Sequence, residues 1–444
     1  MTENAFALRT DIQSWGRVVR EPQWVAKPLY RDELPKLAEA SGESSLLAMG
    51  LRRSYGDTPL NSAGRLIDMT GVSRFIAFDD DRGIVRADAG LSLSDLLRFI
   101  VPKGWFTATS PGTRFVTLGG AVASDVHGKN HHSAGSLGCS VRALGLLRGD
   151  GDRLTLDARG NNGLFAATIG GLGLTGVIEW VELQLTPIAS AWLDVEVIPY
   201  DNIDAFWALA EESAAGFEHT VAWIDCLSRG KQGGRGVFTR ANWRTDGRLD
   251  VHEDRTWKSM PFEAPAFALN SLTVRAFNEA YFRTHKRADK KQVQHYSQHF
   301  YPLDAIRDWN KLYGARGFLQ YQCVIPFENA RAAMPALLDE IAASGEASFL
   351  AVLKTFGAKT SPGLLSFPRP GATLALDFPF RGAGTLATLM RLDALVREAG
   401  GALYPAKDGR MSAEMFRFSY PKLDQFLPHK DPAMNSNFWR RVSQ

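Results

Sequence analysis

Cysteine is scarce in this chain, with only Cys139, Cys226 and Cys323 among 444 residues. Their odd number and wide spacing exclude a disulfide framework and any C-x-x-C metal pattern, which leaves reduced structural thiols as the expectation. Long apolar runs are missing too. No window nears the ~18 uninterrupted apolar residues that cross a bilayer, and MTENAFALRTDIQSWGR has no apolar signal-peptide core. A cytoplasmic protein is expected, with membrane contact limited to the surface of the inner membrane. Charge of either sign is not in excess, since the net is +3, and nothing at whole-chain level argues for nucleic acid. Repeats, heptads and low-complexity tracts are absent. What remains is 45% hydrophobic and 22% charged, the balance of a globular enzyme long enough for two or three domains.

Three glycine-bearing stretches stand out against that ordinary background. The longest, PGTRFVTLGGAVASDVHGKNHHSAGSLG from Pro111 to Gly138, carries one Asp, three His and one Lys but few bulky side chains. Glycine lacks Cβ, so backbone here can press against a phosphate or a ring. An earlier stretch, GLRRSYGD from Gly50 to Asp57, follows the apolar run Leu46 to Met49, and a strand opening into such a turn presents successive N–H groups to an anion. A third, GGLGLTG from Gly170 to Gly176, precedes the β-rich VIEWV at Val177. None fits G-x-G-x-x-G or the P-loop. Together they read as the cradle of a large cofactor.

The pattern between and after these stretches is α+β. Short β-like runs fill the region from Trp15 to Gly90, residues 91–100 read as a helix capped by Ser92 or Ser94 and stopped by Pro102 and Gly104, and Gly149 to Asp152 reads as a hairpin turn. Past Pro187, aromatic and β-branched runs such as Trp192 to Ile198 alternate with helical patterns at 201–214, 329–344 and 384–399, which predicts a second domain with a mixed or antiparallel sheet and helices on one face. Residues 229–260 are rich in Gly, Arg, Lys and Asp without periodicity, so a surface loop is expected there, with an entrance lid as the sharper reading. In the run from Phe318 to Pro326 a period of two sets Gln320 and Gln322 on one face, opposite Tyr321; a solvent-facing edge strand and a sugar pocket are equally compatible with that pattern.

The three glycine stretches, with HGKNHHSAGS the most specific part, resemble the FAD-binding half of the vanillyl-alcohol oxidase/p-cresol methylhydroxylase (PCMH-type) superfamily. Within it the chain is most similar to the family of decaprenylphosphoryl-β-D-ribose 2′-oxidases. The likeness extends through Phe318 to Gln322 and Tyr404 to Asp408, and is weakest around 227–290. It implies a two-domain fold with a discontinuous FAD domain: residues 8–190, then a substrate domain over 191–401, then a return over 402–444. Carried over residue by residue, it implies FAD contacts at Gly50, Leu51, Arg53, Ser54, Tyr55, Gly56, Asp57, Gly112, Thr117, Leu118, Gly119, Gly120, Ser124, Asp125, Val126, His127, Ile178 and Tyr404. Many sugar oxidases of this superfamily carry, before the Ser of the first loop, a His that bonds to the flavin. Here that position is Arg53, so noncovalent FAD is implied.

The same resemblance implies that Lys407 stands beside flavin and substrate, stabilising negative charge or polarising the hydroxyl that is oxidised, with Tyr55 and His127 as the other catalytic candidates. His127, His131 and His132 space poorly for zinc and lack a carboxylate at a defined offset, so no metal is expected and His127 reads as a hydrogen-bonding group or general base. The substrate residues implied are Lys129, facing a phosphate, with Trp223, Tyr301, Gln320, Gln322, Lys354, Thr373 and Lys407. Where the resembled oxidases carry Asn and Cys, this chain has Thr373 and Ala375. The implied activity is oxidation of the 2′-hydroxyl of a polyprenyl-phosphate pentose to a ketone, the first half of an epimerisation in cell-wall arabinan biosynthesis that a separate short-chain NAD(P)H-dependent reductase completes. A soluble aldonolactone or alditol oxidase is the alternative.

Overall fold

The computed structural model describes residues 5–160, 163–253, 258–260, 263–265, 269–288 and 290–444. The first 187 residues build two sheets. The smaller has the order Ala7–Arg9, Gln23–Ala26, Arg65–Asp68, Leu46–Met49, with the last three strands parallel. In the larger, Phe75–Asp79, Ile84–Asp88, Val177–Pro187, Val141–Leu147 and Arg153–Asp157 are antiparallel neighbours, and Trp105–Thr107 also pairs with Val177–Pro187. The turn read at Gly149 to Asp152 joins two of these strands, with Arg148 N donating to Asp152 O at 2.9 Å. The helix is Leu93–Ile100, and of its two candidate caps Ser92 is the one whose side chain accepts from Asp95 N. Ser94 turns inward instead and meets His252 Nε2 at 2.9 Å. Gly104 ends the run at φ +79°, a conformation that costs glycine little.

The rest of the chain forms an eight-stranded sheet, ordered Lys291–His295, Trp192–Tyr200, Gly236–Trp243, His219–Ile224, Ala351–Phe356, Gly371–Pro379, Phe318–Ile325 and Ala402–Leu403. Every pairing in it is antiparallel. The loop expected over 229–260 is corrected by this sheet: Gly236–Trp243 is an interior strand, paired to Trp192–Tyr200 on one side and His219–Ile224 on the other. Val237 and Phe238 are both buried, so the strand packs on two faces and shows no alternation of polar and apolar residues. Residues 254–257 of that segment lie outside the described residues. The strand Phe318–Ile325 is interior as well, which removes the solvent-facing edge reading of Gln320 and Gln322.

Strand alternation gives this sheet two unlike faces. Leu319, Tyr321, Cys323, Ile325, Leu353, Leu374, Leu376 and Phe378 join one apolar cluster with residues of the helices Ile203–Ser213, Phe327–Ser344 and Ala383–Glu398. Burying each Leu or Phe of that set contributes roughly 1.5–3 kcal/mol. Their immediate neighbours, Gln320, Gln322, Val352, Lys354, Thr373, Ala375 and Asp377, face the other way and line a cavity. Beyond Leu403 the chain crosses to the N-terminal sheets, where Leu46 N donates to Ala433 O at 2.8 Å and Arg441 pairs with Asp57 at 2.7 Å. No helix among the described residues is long and apolar enough to cross a membrane.

Candidate active site

Backbone hydrogen bonds stitch the first glycine stretch to the N-terminal segment and the C-terminal return, and the third stretch to the second. Ser54 O and Tyr55 O accept from Trp15 N and Gly16 N at 2.9 and 3.1 Å, while Tyr55 N donates to Ala406 O at 3.0 Å. The second stretch docks through Leu118 N and Gly119 N on Leu91 O and Ala89 O, and a Cβ on Gly119 would meet the Ala89 Cβ at 2.8 Å. The third is tied to the second by Gly170 N and Leu172 N, which donate to Val122 O and Ala123 O at 2.9 and 2.8 Å. Two residues without glycine's freedom, Arg52 and Leu172, hold φ +56° on the wall of the resulting cavity. Such conformations are held only where surrounding contacts enforce them, and they gather at ligand sites.

The cavity holds about 370 Å³ and runs between these loops and the polar face of the eight-stranded sheet. At one part of it the Lys407 ammonium sits 4.0 Å over the Tyr55 ring. Asp377, 1% exposed, accepts from Gln320 Nε2 and from the Tyr313 hydroxyl. Burial pushes the Asp377 carboxyl up, against the pull of Gln320 and of the Lys407 charge. Burial also pushes Lys407 down, and the Asp377 carboxylate raises it part of the way back. Tyr55 is held well above its usual range by burial and then by Asp377. Each of these groups thus depends on its neighbours for its charge.

A second cluster lies further along. Lys354 Nζ is 3.0 Å from His127 Nδ1 and donates to Gly128 O at 3.0 Å. On the opposite edge of the ring, His127 Nε2 lies 3.0 Å from Gln322 Nε2, which also donates to Thr373 Oγ1 at 3.1 Å. Burial and the Lys354 charge hold His127 well below its ordinary value. Lys354 itself is lowered to about 7, by burial first and then by Lys129 and Lys407. A lysine poised there can take or return a proton near neutrality, while the imidazole beside it is held neutral.

Of the residues expected around the cofactor, Gly50, Leu51, Arg53, Ser54, Tyr55, Gly112, Thr117, Gly119, Gly120, Ser124, Val126, His127, Ile178 and Tyr404 line the cavity. Gly56, Asp57, Leu118 and Asp125 do not. Gly56 is pressed against Asp408, whose carbonyl oxygen a Cβ would meet at 1.6 Å, and Asp57 pairs with Arg441. Leu118 is core. Asp125, fully buried, accepts from Ser136, Ser361 and Ser366 hydroxyls and from Gly138 N, so it fastens the second loop to the 361–366 segment.

On the substrate side, Gln320, Gln322, Lys354, Thr373 and Lys407 line the cavity, whereas Lys129, Trp223 and Tyr301 do not. Lys129 Nζ donates to His299 O rather than facing the cavity, and burial lowers it to about 8. Trp223 donates to Phe349 O at 3.0 Å, and the Tyr301 hydroxyl is buried against Ser110. His131 packs on Phe356 at 4.4 Å, and His132 Nε2 is 2.9 Å from Phe217 O. Sequence reasoning missed Asp377, which a buried strand's lone carboxylate three residues after Leu374 could have signalled. It also missed Asp304, whose carboxylate accepts from Thr113 Oγ1 and Arg114 N and holds the 111–115 turn.

A model of the FAD binding domain matches residues 22–157. The decaprenylphosphoryl-β-D-ribose oxidase of Mycolicibacterium smegmatis is 35% identical over 94% of this chain and 92% of its own length. An uncharacterized protein of Streptomyces coelicolor is 32% identical over 76% of this chain and 94% of its own. The L-gulonolactone oxidase of Scyliorhinus torazame is similar over a much shorter part, 26% identical over 38% of each chain.

Proposed function

Because this chain belongs to the decaprenylphosphoryl-β-D-ribose oxidase family of FAD-binding proteins, we propose that it oxidises the 2′-hydroxyl of a polyprenyl-phosphate pentose to the ketone. The cofactor fits the residues present: a glycine-lined cavity with two enforced positive-φ positions suits a dinucleotide pressed against backbone. Residues 8–190 and 402–444 would form the FAD domain and 191–401 the substrate domain. Gly50 to Tyr55, Thr117, Gly119, Gly120, Ser124 and Tyr404 would hold the cofactor, while Gly56, Asp57, Leu118 and Asp125 hold the loops. Arg53, which cannot form the bond that a histidine forms there, leaves the FAD noncovalent. When bound, FAD supplies the acceptor for the hydride that leaves the 2′ carbon.

The chain's own residues supply the rest. Lys407 stabilises negative charge as it develops, and its ammonium is kept charged by Asp377. Lys354, lowered to about 7, takes the hydroxyl proton, and His127, held neutral 3.0 Å away, positions its amine. Gln320, Gln322 and Thr373 offer hydrogen bonds to the sugar. The ammonium that Lys354 becomes on taking the proton faces the phosphate; Lys129, bound to His299 O, is not assigned that part. The keto sugar passes to a separate NAD(P)H-dependent reductase, and the lipid keeps the enzyme in peripheral contact with the membrane surface.

The observation that carries this reading is that the Gly-lined cleft and the polar sheet face carrying Lys354, Gln322 and Asp377 bound one cavity with Lys407 in it. The test is anaerobic addition of a lipid-linked phosphopentose to the yellow protein. Bleaching of the flavin absorbance is expected. A flavin that stays oxidised with every phosphopentose, or bleaches only with free aldonolactones, defeats the proposal. Acid precipitation should release the flavin into solution; yellow pellets would overturn noncovalent attachment.

A further inference from the structure

The helix Ser271–Arg287 uses only one stripe to hold itself on the protein. Val274, Asn278 and Phe282, spaced by four, are buried; Asn278 Nδ2 donates to Asp225 Oδ1 at 2.7 Å and Arg235 lies over the Phe282 ring at 4.8 Å. The outward side mixes exposed apolar side chains with cations, Arg275 among them. Its N-terminal half presents Leu272, 76% exposed, with Ala276, Ala280 and Phe277, the last 45% exposed. The C-terminal half presents Arg283, paired with Glu279 at 2.5 Å, Lys286, paired with Asp201 at 2.9 Å, and Arg287. From 271 to 291 the chain has six Lys or Arg against two acidic residues, so this short segment is more positive than the +3 of the whole protein.

The apolar end of the helix is also the end nearest the cavity. Phe277 meets Phe349 at 5.7 Å, Phe349 stacks on Tyr313 at 5.6 Å, and the next residue, Leu350, lines the cavity wall. An aromatic path therefore leads from an exposed ring to the Tyr313 that donates to Asp377. An amphipathic helix with exposed Leu and Phe beside clustered arginines is the pattern that lies in the headgroup region of an anionic bilayer. We infer that the outward face of Ser271–Arg287 is the surface by which this protein docks on anionic membranes, with its apolar end delivering the lipid-linked sugar toward the cavity. The inference deepens the lipid-substrate reading and rests on it for its purpose. It takes the place of the entrance lid read at 229–260, since Gly236–Trp243 is interior strand.

The experiment is flotation of the purified holoprotein with vesicles of phosphatidylglycerol and phosphatidylcholine, against vesicles of phosphatidylcholine alone. The wild type should float with the anionic vesicles and be released in about 0.5 M NaCl, where charges are screened within a few ångströms. L272D/F277D should lose at least about tenfold of its bound fraction, and R283Q/R287Q about fivefold per cation, from ~1 kcal/mol for each near an anionic surface. Both variants should keep the wild-type flavin spectrum and should bleach as fast as wild type with a short-chain, water-soluble phosphopentose. A wild type that does not float, or an L272D/F277D variant that floats unchanged, overturns the surface. So does self-association of the wild type that L272D/F277D abolishes in sedimentation equilibrium, because the face would then cover a second copy. If the wild type bleaches with the soluble substrate but does not float, only the surface is wrong; if it floats but does not bleach, the catalytic reading falls instead.

Discussion

The two faces of the strand Phe318–Ile325 are unlike, one apolar and one polar. Leu319, Tyr321, Cys323 and Ile325 are packed under helices, in an apolar cluster where side chains are exchangeable for others of like volume. Gln320 and Gln322, one residue away from each, bond Asp377, His127 and Thr373 in the cavity. The lesson is that stability and chemistry are interleaved residue by residue in this sheet, so substitutions two positions apart should act alike and substitutions one position apart should not.

The sharpest break comes from the helix-covered face. Phe378→Ala is expected to cost ~3–5 kcal/mol through the cavity it leaves, read as a lower urea midpoint, while the protein that stays folded keeps its flavin spectrum and kcat. Its neighbour Asp377 sits on the other face, and the group it serves gives the next largest effect. Lys407→Met should lower kcat by ~10²–10³-fold, the size of losing one preorganised charge-stabilising donor. Its thermal midpoint should not fall, since a desolvated ammonium is removed. Equal losses of stability in both variants would erase the distinction between the faces.

Asp377→Asn sharpens it through pH. The Asp377 carboxylate raises Lys407, so removing it should move the alkaline limb of kcat to lower pH by about one unit; an unmoved or upward limb would refute the coupling. Stability should move the other way. The folded Asp377 carboxyl is raised above its ordinary value, so its contribution is present in acid and lost as pH rises through the folded value. The Asn variant, which cannot ionise there, should therefore gain on wild type in urea midpoint as pH rises. The smallest effect is expected for Ala375→Cys, less than ~1 kcal/mol in stability, yet the new thiol should react with a thiol reagent in the flavin-free protein, because position 375 lines the cavity. Cys323, buried on the covered face with its thiol pushed up to about 12, should stay unreactive.

Much of the cradle was legible because its signals are local. Glycines at 50, 119 and 120 mark backbone approach, and each lines the cavity. The helix cap at Ser92, the turn at 149–152 and the period of two around Tyr321 all follow from neighbours within a few residues. Asp125 and Asp57, expected at the cofactor, stand off the cavity wall, and the sequence could not show this because a polar residue in a glycine loop looks the same whether it faces a ligand or fastens the loop. Which it does depends on Ser361, Ser366 and Arg441, hundreds of residues away. Lys129 stands off the cavity in the same way, since its acceptor is the carbonyl of His299.

Local composition and spacing determined an α+β pattern and a cradle for a large cofactor, because glycine freedom, strand alternation and helix capping act over a few residues; that the cofactor is FAD and the reaction an oxidation came from the likeness of three short motifs. Tertiary structure alone decided which lysine stands free in the cavity, which carboxylate answers it and which aspartates merely fasten loops. Those outcomes depend on burial and on partners brought together by the fold, and a charge in a low-dielectric interior takes its protonation state from groups the chain order does not place beside it.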